Sequence, residues 1–283
     1  MLIDSHCHLQ FRAFAPNLAE VISRCQEKQV GGIIVGTQID TSRAAVELAA
    51  TQETLYAVIG LHPIHLFAAP IDEAEFSFQS RGEDFVPEKY AALLSPKVVG
   101  IGECGLEMYH IPATIDRDEY LAKQIISFEA QAEFARVHDL ALVIHVREAH
   151  EQMISVLKGL KRQIRGVVHC FTGSQEQAQE YLSLGLHLGF TGIITFPPKK
   201  NLSTGHGSLR EVIRQCPLDR LLIETDAPYL APQKYRGQQC EPWMVEEVAK
   251  QVAEWRNLSW SEVQEITVRN TQDLFKISTL GSG

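Results

Sequence analysis

The chain has 283 residues, 45% of them hydrophobic and 22% charged, globular proportions that exclude a disordered or fibrous chain. Its 26 Lys and Arg against 35 Asp and Glu leave a net charge of −9. That excludes a protein that holds nucleic acid along an extended basic face, so any such ligand must be met at a local site.

No apolar run approaches the roughly 18 residues of a membrane span. The start, MLIDSHCHLQ, has no basic n-region and carries ionisable groups within ten residues, so it is not read as a signal peptide. Six cysteines without a CxxC pair read as reduced thiols of a cytoplasmic protein.

In chain order, short apolar and β-branched runs at residues 2–5, 32–35, 56–60, 98–102, 141–144, 166–168, 187–190 and 221–224 predict strands. Helical stretches lie between most of them. One covers 18–29 with Asn17 as its cap, and one covers 42–51 capped by Thr41. Residues 119–137 place Leu121, Ile125, Phe128, Ala132 and Ala135 on one face. Ser174 opens a further helix that Gly185 closes, and 241–256 and 261–275 supply two more. Eight strands with intervening helices predict a single (β/α)8 TIM barrel over 1–283. The rival doubly wound sheet loses support because neither GxGxxG nor GxxxxGK[ST] follows a strand.

One connection is too long for a helix and two loops. It inserts about residues 64–96 after the third strand, on what would be the catalytic face. Its acidic middle, 72–84, offers little apolar burial and is expected to be mobile; 87–94 would be its helix.

The informative polar residues sit at the strand ends. His6 and His8 follow the first strand, Glu103 the fourth, His145 the fifth, His169 the sixth and Asp226 the eighth. In a barrel these positions converge on one mouth. His6 and His8 are two apart, so both point to one face of a strand, while Cys7 points away into packing. Six nitrogen and oxygen ligands exceed what one catalytic ion with open positions takes. They suit two ions sharing a carboxylate and a water. Zinc, manganese, nickel or magnesium would be accepted. His110, His138, His150, His187 and His206 read instead as hydrogen-bonded core or loop residues. A serine triad has no GxSxG elbow to build on.

These residues lie in longer motifs: DSHCHL at 4–9, GLHP at 60–63, GECGLE at 102–107, IHVRE at 144–148, HCFTG at 169–173, ETDAPYL at 224–230 and RNTQDLF at 269–275. In order and spacing the chain resembles the TatD family of metal-dependent deoxyribonucleases. The resemblance implies an amidohydrolase-type barrel with His6, His8 and Asp226 on a first ion, His145 and His169 on a second, and Glu103 bridging. Asp226 would also take a proton from the attacking water. Glu224 and Asp4, two residues before ligands, would orient imidazoles. The chain departs from the family in Glu107, where aspartate is common, in Cys240, where asparagine often precedes Glu-Pro, and in its longer insert.

The resulting expectation is a 3′–5′ exonuclease on single-stranded DNA ends, with no obligate protein partner. His62, Arg147, Lys199, Lys234 and Arg236 are the candidate substrate contacts. The alternative is an amidohydrolase or an ester or aminoacyl-tRNA deacylase, since the same ligand set would serve attack on a carbonyl.

Overall fold

The computed structural model describes residues 1–72, 77–160, 164–197 and 207–277. Eight parallel strands form one sheet in the order β1 (Leu2–Cys7), β2 (Val30–Val35), β3 (Leu55–Ile59), β6 (Val98–Glu107), β7 (Ala141–Arg147), β8 (Gly166–Val168), β9 (His187–Phe190) and β10 (Leu221–Ile223). A parallel bridge between Cys7 and Ala227 brings the last strand back to the first. The predicted barrel is therefore found, with each predicted strand in its place. Ile3, Ile33, Val58, Val143, Val167 and Leu222 pack together in a buried cluster that Leu274 and Phe275 join.

Helices connect the strands: α1 (Leu18–Glu27), α2 (Ile39–Ala50), α4 (Arg117–Val137), α5 (His150–Gly159), α6 (Gln175–Ser183), α7 (Gly207–Gln215), α8 (Val245–Arg256) and α9 (Trp260–Phe275). Ser174 caps α6 as expected, in a capping box with Gln177. Two expected caps are corrected. Asn17 makes no side-chain cap bond to α1. Helix α2 starts three residues before the expected 42, with Gln38 as its cap and Thr41 completing the capping box.

The long connection leaves β3 at the C-terminal end of the barrel. It carries a two-stranded hairpin, β4 (Pro70–Asp72) against β5 (Ser77–Gln79), and then α3 (Pro87–Ala91), shorter than the expected 87–94. At its described positions the stretch 72–84 is hydrogen-bonded to the rest of the insert. Ser80 N donates to Ala69 O at 2.9 Å and Glu83 N to His65 O at 2.8 Å. Ile71 and Ser80 are buried, and Phe85 stacks on the buried Tyr90. The flanking apolar residues supply the burial that the acidic middle lacks; residues 73–76 lie outside the described residues.

His187, at the opposite end of the barrel, opens β9 and is 6% exposed; its Nδ1 has no hydrogen-bond partner among the described residues. Burial, assisted by the Arg220 charge, lowers its pKa from 6.5 to about 4. The unfolded chain therefore binds a proton there that the folded chain refuses. Stability should fall as pH drops from about 6.5 to about 4, by about 3 kcal/mol from this group. Urea midpoints across that range should show a shallower loss for His187→Gln. An unchanged acid slope would assign the loss to other groups.

Candidate active site

The site gathers where the strands end. His6 lies in the last turn of β1, beside a register shift between Asp4 and Cys7. Cys7 is buried in apolar packing, as expected. Glu103 sits within β6, where the pairing to β7 shifts between Ile101 and Cys104. Gly102 and Gly105 flank it with φ of 144° and 152°. A Cβ on either would collide with a β7 carbonyl, Val143 O or His145 O. Glycine is thus required at both positions for the strand to bring Glu103 to the mouth. Asp226 follows β10 in a left-handed conformation, φ 63°, its amide donating to His6 O at 2.9 Å.

The structure brings all six expected ligands together around Glu103. Glu103 Oε2 is 3.4 Å from His6 Nε2 and 3.7 Å from His8 Nε2. Glu103 Oε1 is 2.8 Å from His145 Nδ1 and 3.2 Å from His169 Nε2. Asp226 Oδ1 is 3.3 Å from His8 Nε2 and 3.7 Å from His6 Nε2. His62, expected only as a substrate contact, joins the cluster, with Nε2 3.3 Å from Glu103 Oε1. Three overlapping groups offer ligand atoms close enough to hold an ion: His6, His8 and Glu103; His6, His169 and Glu224; and His62, Glu103 and His145.

The donor chemistry fits a divalent metal. His8 Nδ1 lies 2.7 Å from Val35 O. A carbonyl only accepts, so the proton sits on Nδ1 and the Nε2 lone pair faces the cluster. There it meets His6 Nε2 at 3.2 Å and two carboxylates. Acceptors turned on acceptors leave the place of a cation, and imidazole with carboxylate is the donor set of zinc, manganese or nickel.

The charges respond to this crowding. Burial would raise Glu103, but the imidazoles of His62, His169 and His145 hold its carboxyl well below the usual range. Burial opposes the charged form of His145 as well, yet Glu103 and Glu107 raise it to about 9. Asp226 is likewise kept low against its burial by His8, His169 and His6. His6, with burial unopposed by enough negative charge, is lowered.

Around the cluster, Glu224 is fully buried and holds His169 Nδ1 at 3.2 Å, Cys170 N at 2.5 Å and Ser5 Oγ at 3.2 Å. The expected orienting role thus has contact behind it for Glu224 but not for Asp4. Asp4 instead accepts from Thr225 N, Thr225 Oγ1 and the His6 amide. Burial pushes its pKa well up. Sequence reading assigned nothing to Glu107, which lies 3.2 Å from His145 Nε2 and 3.4 Å from His110 Nδ1. The signal was present in GECGLE, had the strand been extended beyond 102. Cys240 is buried, its amide donating to Pro228 O.

The expected basic contacts divide. Arg147 places its guanidinium 3.9 Å over the Tyr109 ring beside the mouth. Arg236 lies 5.5 Å over Phe196. Lys234 Nζ pairs with Glu247 on α8 at 3.0 Å, with more than half of its side chain exposed. Lys199, and also His206, lie outside the described residues. His150 bonds Tyr181 Oη, and His138 packs on Phe134, in keeping with the expectation for both.

Imidazoles and carboxylates converging on the C-terminal mouth of a (β/α)8 barrel make this a metal-dependent hydrolase. It belongs to the TatD family: the family profile described as TatD related DNase matches residues 3–276. The chain is 35% identical to the metal-dependent hydrolase YabD of Bacillus subtilis, over 98% of this chain and 100% of that protein. It is 31% identical to the 3′-5′ ssDNA/RNA exonuclease TatD of Edwardsiella piscicida, again over 98% and 100%. The solved structure of YjjV, a TatD homologue of Escherichia coli K12, superposes with a TM-score of 0.79 at 28% identity, covering 98% of each chain. Among the described residues, no helix is long and apolar enough to cross a membrane.

Proposed function

We propose that this hydrolase is a 3′–5′ exonuclease acting on the ends of single-stranded DNA. The observation that carries the reading is the split of Glu103. One oxygen faces His6 and His8, with Asp226 beside them, and the other faces His145, His169 and His62. On this reading His6, His8 and Asp226 would hold one divalent ion and His145 and His169 a second, with Glu103 available to both. Ions bound there would neutralise the scissile phosphate and lower the pKa of a water. Asp226, kept ionised by its imidazole neighbours, would accept the water's proton. Val35 O and Glu224 fix the rings of His8 and His169 through their Nδ1 atoms.

A net charge of −9 favours strand ends. Duplex binding by counterion release needs several phosphate contacts at once, and one small mouth contacts one or two. The name of the Edwardsiella relative supports the same polarity, on single-stranded DNA or RNA.

The test strips the protein of metal and adds back zinc, manganese, nickel or magnesium singly. Each is assayed on end-labelled single strands, closed circular duplex and acyl esters. We expect shortening from the 3′ end of single strands, restored by metal. Equal cutting of closed circles would overturn the end-directed reading. Turnover of acyl substrates alone would establish the carbonyl-directed alternative.

A further inference from the structure

We propose that Tyr109 forms a nucleobase-stacking subsite at the rim of the active site, holding the base next to the scissile phosphodiester. This rests on the nuclease reading above and specifies how that site holds its substrate. Tyr109 is 53% exposed, an unusual position for a large ring. A single exposed aromatic needs no explanation by itself. This one is fixed on three sides. Its amide donates to Glu107 Oε1 at 2.6 Å, the Arg147 guanidinium lies 3.9 Å over one face, and the His110 ring meets it edge-on at 4.8 Å. The neighbouring Met108 amide is tied to Arg147 O.

The ring is also coupled to the chemistry by a short route. The carboxylate that holds its amide touches His145 Nε2, and His145 touches Glu103. Two hydrogen-bonded side chains, Glu107 and His145, thus link the Tyr109 amide to Glu103, and about half of the tyrosine remains exposed. A net charge of −9 gives no overall electrostatic hold on a strand, whereas stacking is indifferent to net charge. Every base has a π-face, so the contact tolerates any sequence. Because Arg147 and His110 already fix the plane, binding spends little entropy on ordering it.

The test uses metal-loaded protein and two short single-stranded oligonucleotides, one ending in a normal 3′ nucleotide and one with an abasic 3′ end. Wild type should prefer the normal end by roughly 5- to 100-fold in kcat/KM, chiefly through KM. Tyr109→Ala should lose that preference, while Tyr109→Phe, which keeps the ring, retains it. Metal content should be equal in all three. A 3′-terminal 2-aminopurine behind a phosphorothioate linkage should be quenched on binding wild type and Tyr109→Phe but not Tyr109→Ala. An active nuclease whose Tyr109→Ala variant keeps both the preference and the quenching would overturn the subsite alone. Failure of metal-loaded wild type to cut any oligonucleotide would overturn the nuclease reading and the subsite with it.

Discussion

Glu103→Gln should abolish hydrolysis while leaving the barrel folded. The substitution keeps size and burial but exchanges one carboxylate oxygen for an amide NH2, which has no lone pair to give. Both Glu103 oxygens are committed, Oε2 to His6 and His8 and Oε1 to His62, His145 and His169. Whichever way the amide turns, one half of the cluster faces a donor in place of an anion. Loss of several kcal/mol of charge stabilisation corresponds to about a thousandfold or more in kcat/KM. Elemental analysis should show fewer bound metal ions than in wild type, and circular dichroism should be unchanged. Full activity with full metal content would remove Glu103 from the centre of the site.

The barrel was legible because its strands are short, apolar and separated by turn residues, a local signal. The cluster of histidines and carboxylates at the mouth was legible for the same reason: a histidine or carboxylate closing an apolar run stands out without any knowledge of its partners. What escaped depends on contacts distant in sequence. Glu107 was hidden because β6 continues five residues beyond Gly102, carried by glycine backbone geometry that no hydrophobic period reports. That His62 comes within 3.3 Å of Glu103 was not visible because that distance is set by the pairing of β3 with β6. The pairing of Lys234 with Glu247 was not visible because Glu247 lies 13 residues away on α8. The hairpin of β4 and β5 escaped because its apolar anchors, Ile71 and Phe85, flank the acidic stretch rather than interrupt it.

Glu224→Gln should weaken metal binding roughly 10- to 100-fold, the usual range for a residue that orients a ligating histidine. Glu224 accepts from His169 Nδ1, Cys170 N and Ser5 Oγ with no exposure to solvent. By taking the Nδ1 proton of His169 it leaves Nε2 as the ring's lone-pair atom, turned toward Glu103. The amide keeps the shape but weakens the acceptor, so the chain should fold and hold metal less tightly. Glu224→Ala should in addition lose about 1–3 kcal/mol of stability, because the Cys170 amide would be buried without its acceptor, whereas the Ser5 hydroxyl keeps Ile223 O at 3.1 Å. Gly189→Ala separates orientation from charge. A Cβ there would stand 2.5 Å from Glu224 Oε2, so the carboxylate must shift although it remains a carboxylate. Metal titrations should therefore show weakened affinity in Gly189→Ala too. If Gly189→Ala and Glu224→Gln both bind metal as wild type does, Glu224 acts only as a buried acceptor for Cys170 and Ser5, and His169 is oriented by the barrel alone.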